Sequence, residues 1–140
     1  MTKIYIAGPM SGQPYFAFPV FDGVAADLRA RGYDVVSPAE LDDPAFRARV
    51  MEEGKTGTEK HLLGAWGDCL ARDVKLISDG GIEGIVLLHD WDKSRGARLE
   101  AFVGVLCKLK FGLYDPRQLG GVIPITQNDV VSVIFRSKFQ

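Results

Sequence analysis

The chain has 140 residues, 46% of them hydrophobic, with 17 Lys and Arg against 18 Asp and Glu. That length buries one sizeable core, so a single domain over residues 1–140 is expected. A formal charge of −1 supplies no field for a nucleic-acid backbone or an anionic membrane, which leaves a small molecule as the expected partner. Cys69 and Cys107 are far apart and lack CxxC spacing, no stretch reaches the roughly 20 apolar residues of a membrane span, and a cytoplasmic, unexported protein is expected.

In chain order, Lys3–Ala7 (KIYIA) is a β-prone run stopped by Gly8-Pro9. Residues 18–31 repeat apolar side chains at helical spacing, with Val20, Val24 and Leu28 and the Phe21/Ala25 pair on one side, and Gly32 ends the helix. Residues 34–37 (DVVS) read as a second short strand closed by Pro38, and the following segment to residue 58 carries charge and turn residues without a clear period. Residues 59–77 turn helical again, with Leu62, Leu63, Trp66, Leu70, Val74 and Ile77 near i, i+3, i+4 spacing, before Asp79-Gly80-Gly81. Residues 84–89 (GIVLLH) form a continuous apolar run, the mark of a strand covered on both faces. Residues 97–110 read as a helix with Leu99, Phe102, Val103, Leu106 and Cys107 as its stripe, and residues 122–125 and 130–135 as late strand-like pieces. No internal repeat is present.

Strands alternating with helices predict an α/β domain with a mainly parallel, Rossmann-like (flavodoxin-like) sheet flanked by helices and joined by right-handed crossovers. Ligands of such sheets bind beyond the carboxyl ends of the strands. Two loops fall there: GPMSG (residues 8–12) after the first strand and DWDKSRG (residues 90–96) after the apolar strand. If these strands are neighbours, both loops face one pocket.

The first loop is neither GxGxxG nor a P-loop, because no G-K-[ST] follows. Its glycines allow close approach of a ligand to the backbone, and a plain β-to-α turn accounts for them equally well. The second loop says more. Ser94 before a helix is a cap, and the amides from Arg95 to Ala97 with the helix dipole form an anion site. Arg95 and Arg98 add charge to it or are solvated surface arginines. Glu100 falls between Leu99 and Ala101-Phe102-Val103. It is either a dipole-stabilising glutamate on an exposed face or a functional carboxylate. Asp73, Asp90 and Asp92 are carboxylates that could converge with it, a set suited to acid/base or glycosyl chemistry and also to a metal. His61 and His89 lack metal-ligand spacing, so no metal is expected. Trp66 and Trp91 read as core or rim aromatics.

The stretch YIAGPMSG (residues 5–12), the Ser94-x-Gly96-x-x-x-Glu100 spacing and the helix ARDVKLI (residues 71–77) resemble the nucleoside 2-deoxyribosyltransferase superfamily. They are most similar to its 2'-deoxynucleoside 5'-monophosphate N-hydrolases and to a small branch common in phage and bacterial genomes. The match spans roughly the first 110 residues and is anchored at three places.

The resemblance implies that Glu100 is the nucleophile that forms a glycosyl ester, that Asp73 assists protonation of the departing base, and that Tyr5 places its hydroxyl near the nucleophile. It implies that Gly8, Met10, Ser11 and Gly12 contact sugar and base and that Ser94, with Gly96 in the same turn, binds the phosphate; Asp92 and Arg98, beside that turn, are counted as substrate-binding candidates from their position, Arg98 as compensation at the phosphate. It also implies a homodimer or higher oligomer that completes each pocket, and no cofactor. The transferases of the superfamily carry aspartate six positions before the nucleophile, whereas the monophosphate hydrolases carry serine there for the 5'-phosphate. Ser94 therefore points to a nucleotide. Base exchange by a transferase and nucleotide sensing without turnover stand as alternatives. The chain departs from the hydrolase pattern at Ser11, where an arginine is common, and at Arg98, where a second glycine is usual; residues 40–59 match nothing.

Overall fold

The computed structural model describes residues 2–64 and 66–136. Five strands form one sheet in the order β2-β1-β3-β4-β5, with β1 at Lys3–Ala7, β2 at Asp34–Val36, β3 at Gly84–Leu87, β4 at Lys110–Tyr114 and β5 at Val122–Ile125. The first four are mutually parallel and β5 runs antiparallel to β4, so this is an α/β fold whose sheet has one reversed edge. Helices are α1 (Phe18–Ala30), α2 (Pro44–Glu53), α3 (Trp66–Asp79), α4 (Arg95–Leu106) and α5 (Gln127–Arg136). No helix among the described residues is long and apolar enough to cross a membrane.

Strand periodicity divides the core. Ile4 and Ile6 of β1 pack with Phe18, Phe21, Ala25 and Leu28 of α1 on one face. Tyr5 and Ala7 point the other way, into a second cluster with Ile77 of α3, Ala97 and Ala101 of α4, and Val130 and Ile134 of α5. β1 and β3 are direct neighbours with Tyr5 opposite Ile85. The Leu88 amide continues the ladder to the Ala7 carbonyl at 2.9 Å. Both loops named from the sequence therefore leave the sheet side by side, at the switch point where α/β sheets open a crevice.

Several sequence expectations are corrected. The expected strand over residues 130–135 is helical: Asp129 Oδ2 accepts from the Thr126 amide and Thr126 Oγ1 from the Asp129 amide, both at 3.1 Å. That reciprocal cap starts α5 and outweighs the β-branched composition of VVSVIF. The terminal run VVSVIFRSKFQ also reads from the sequence as a last strand or a subunit contact, and its residues 137–140 lie outside the described residues. The helix expected over residues 59–77 is a short 3-10 turn, Lys60–Leu62, followed by α3, with Gly64 left-handed between them. The helix expected to reach residue 110 stops at Leu106, where Leu109 N bonds Gly104 O and Lys108 N bonds Val105 O around a left-handed Lys108. This frees residues 110–114 to become β4. α2 forms in the segment without a readable period because Asp43 caps it, accepting from the Phe46 amide at 3.0 Å, with Pro44 in its first turn. Val20, placed on the buried side of α1 by its spacing, is 57% exposed.

Candidate active site

Tyr5, Asp73 and Glu100 come together on the α3–α4 face of the sheet. Tyr5 is placed by the alternation of β1, Asp73 by α3 and Glu100 by the second turn of α4. The Tyr5 hydroxyl donates to Glu100 Oε2 at 2.5 Å, and Asp73 shares side-chain hydrogen bonding with both. Tyr5 is 0% exposed, Glu100 6% and Asp73 7%. An exposed, dipole-stabilising Glu100 is thereby ruled out.

Two carboxyls in a dry site cannot both ionise cheaply. Burial lifts Glu100 well above the carboxylate range, Asp73 adds to the rise, and the donation from Tyr5 opposes it. Asp73 is also raised, again chiefly by burial, but the Arg72 guanidinium pulls it back. The Tyr5 phenol is pushed well above its ordinary value by burial and then by the two carboxyls. The cluster therefore retains protons that exposed groups would have shed.

Arg72 and Asp42 complete the cluster, and sequence reading missed both. Arg72 Nε donates to Asp73 Oδ1 at 3.1 Å and its Nη1 donates to Asp42 Oδ1 at 3.1 Å. Asp42 comes from the segment in which no period was visible.

The same segment supports the first loop. The Gly12 amide donates to Gly57 O at 3.0 Å and the Tyr15 amide to Gly54 O at 2.6 Å. Gly57 has φ +76, and a Cβ there would collide with the Gln13 carbonyl. Gly8 is buried, and a Cβ there would lie 2.8 Å from Leu88 Cβ. Met10 packs against the α1-side core, while Ser11 and Gly12 are exposed. Beyond this loop Tyr15, Phe16 and Ala17 are all left-handed, a conformation that costs non-glycine residues roughly 1–2 kcal/mol each.

Ser94 is the N-cap of α4, its Oγ accepting from the Ala97 amide at 3.2 Å. The Oγ is used as an acceptor, and the positive end of the helix dipole lies at the same turn. Gly96 and Arg98 are half-buried in that turn. Arg95 stacks its guanidinium 4.8 Å from the centroid of Trp66, a rim aromatic 45% exposed. Trp91 is core, at 7% exposed.

Asp90 and Asp92 do not share the setting of Glu100. With Trp91, Tyr114, Asp115 and Arg117 they line an adjacent groove of about 540 Å³, whose lining includes none of Tyr5, Asp73 and Glu100. No group of three or more metal-ligating side chains occurs among the described residues.

A family model described as a domain of unknown function, DUF4406, matches residues 2–111, which spans β1 through the start of β4 and every residue of the Tyr5–Asp73–Glu100 cluster. The chain belongs to the DUF4406 family. No curated protein matches it. The matched region of this DUF4406 chain also contains both loops and the Asp42–Arg72 pair, so the site and its supports lie in one family unit.

Proposed function

We propose that the protein is an N-glycosidase that hydrolyses a (deoxy)nucleoside 5'-monophosphate to free base and 5-phospho-(2-deoxy)ribose. The observation that carries this reading is the Tyr5–Glu100 contact at 2.5 Å, buried beside Asp73 and on the same helix as the Ser94 cap. The Ser94-to-Glu100 spacing supports the reading: a phosphate bound at the start of α4 would leave the anomeric carbon one to two turns on, near the acid.

In the first step Glu100, ionised, forms a bond to the anomeric carbon. The C–N bond breaks, its electron pair leaves with the base, and the proton that Glu100 surrendered to Asp73 passes to the departing nitrogen. In the second step water adds to the anomeric carbon, the Glu100 ester oxygen departs, and Asp73 takes the water proton. A carboxylate at bonding distance also stabilises the positive, oxocarbenium-like transition state. Tyr5 holds the acting oxygen in place and stabilises its charge.

The homodimer that the resemblance implies is testable by light scattering. The activity is tested with a panel of nucleoside 5'-monophosphates and their nucleosides, followed by chromatography for released base. Release from monophosphates without an acceptor base, abolished in Glu100→Ala, is expected. Release that requires a second free base identifies a transferase, and binding without any release identifies a sensor.

A further inference from the structure

The cation that hydrogen-bonds the Asp73–Glu100 pair is Arg72, and it bonds Asp73. Arg72 donates to Asp73 Oδ1 and is itself held by Asp42, both at 3.1 Å. Glu100 receives the Tyr5 hydroxyl instead. We propose that Arg72, anchored by Asp42, is a positioning residue that holds Asp73 as the ionised partner, so that the single proton of the pair rests on Glu100 until substrate arrives. This rests on the glycosidase reading and adds a device to it.

The charge arithmetic explains why such a device is useful. With no proton, two adjacent buried carboxylates repel and nothing protonates the leaving base. With two, the nucleophile stays neutral. With one, the proton moves from Glu100 to Asp73 as attack begins and from Asp73 to the base as the C–N bond breaks, and no net charge enters or leaves the site. A guanidinium fixed on Asp73 favours this singly protonated form over the neutral pair. Arg72 is suited to it because its fork reaches two carboxylates at once and stays charged throughout.

The charged and titratable groups that act on the pair are Tyr5 of β1 and Arg72 of α3, with Asp42 behind Arg72. Cys69, one turn before Arg72 on α3, feels Arg72, Asp42, Asp73 and Asp68 in turn. Of the charges that act on Glu100 and Asp73 together, Arg72 is the positive one. Its loss penalises the monoanion against the neutral pair, and the dianion more. Both protonation steps of the pair therefore move up in pH, and the active window moves with them, by about one to three pH units for a close opposite charge.

The test follows the carboxyl carbons of 13C-labelled Asp and Glu by NMR from pH 4 to 9, assigned with Asp73→Asn and Glu100→Gln, in the wild type, Arg72→Gln and Arg72→Lys. In the wild type Asp73 is expected to be ionised and Glu100 protonated at neutral pH. The pair's titration and the bell-shaped profile of base release are expected to move up together in Arg72→Gln and to return most of the way in Arg72→Lys. The reverse placement in the wild type overturns the proposal whether or not the variants fold. Coincident titrations of wild type and Arg72→Gln also overturn it, as does a lysine variant that behaves like the glutamine one. Failure of the wild type to release base from any nucleotide removes the glycosidase reading instead, and is seen before any variant is made.

Discussion

The hydroxyl of Tyr5 and Oε2 of Glu100 are 95 positions apart in sequence and meet at 2.5 Å in the interior. Tyr5→Phe deletes the donor to Glu100 Oε2, and an ionised Asp73, which can only accept, does not replace it. Because the donation lowers the Glu100 pKa, its loss raises that pKa further, and the acid limb of activity moves to higher pH. A fall in kcat of about 100-fold, the scale of losing one preorganised donor, is expected with little change in KM. Steady-state kinetics across pH checks it; an unmoved acid limb contradicts the assignment.

Glu100→Gln is expected to abolish turnover and to stabilise the fold at neutral pH. Burial raises the folded-state pKa of Glu100 above the ordinary glutamate value of 4.5. The folded state therefore holds more protons than the unfolded one, and stability falls as pH rises from about 4.5 towards the raised value, by ~1.4 kcal/mol per pH unit. The glutamine has no such loss. Its advantage over wild type should be absent near pH 4 and grow towards pH 7, in denaturant titrations at both values. Glu59 and Asp115, each held down to about 2, act in the opposite direction in both proteins and cancel from the comparison.

Ser94 separates stability from specificity. Ser94→Ala removes a helix cap and should cost about 1 kcal/mol. Ser94→Asp retains capping ability and adds favourable charge to the helix start, so the melting temperature should hold. Against a 5'-phosphate the same carboxylate is repulsive by roughly 4 kcal/mol at 4 Å and a dielectric of 20. Use of monophosphates should fall about 100- to 1,000-fold in kcat/KM while the corresponding nucleosides are spared. Equal losses on both substrates contradict a phosphate site at this turn.

Two backbone substitutions should act in opposite directions. Gly57→Ala forces a Cβ onto the Gln13 carbonyl at a left-handed φ, and destabilisation of about 2 kcal/mol or more is expected by thermal unfolding. It should also raise KM, because residues 54–57 support the first loop. Lys108→Gly relieves the left-handed position after α4 and should stabilise by about 1 kcal/mol without touching kinetics.

The site was partly legible in the sequence because two of its members sit on regular elements with strong local signals. Ser94 caps α4 and Glu100 lies on it, six residues apart, and a helix makes that spacing a distance. Their resemblance to a family pattern supplied Tyr5 and Asp73. Arg72 escaped notice because adjacent residues on a helix project in different directions, and their pairing needs a third group such as Asp42 to become visible. The cap around Thr126 and Asp129 was present in the sequence as T-x-x-D, but the β-branched run after it carried the stronger apparent signal.

By itself the sequence determined the alternation of strand and helix, the face on which Tyr5 falls within β1, and the capped start of α4, since each depends on neighbours within a few residues. Only the tertiary structure decided that β1 lies against β3, that Glu100 is dry, and that Asp42 reaches Arg72. Burial and long-range pairing depend on how separate elements stack, and the hydrophobic effect that stacks them is not directional; partners 30 to 95 residues apart are selected by the assembled sheet.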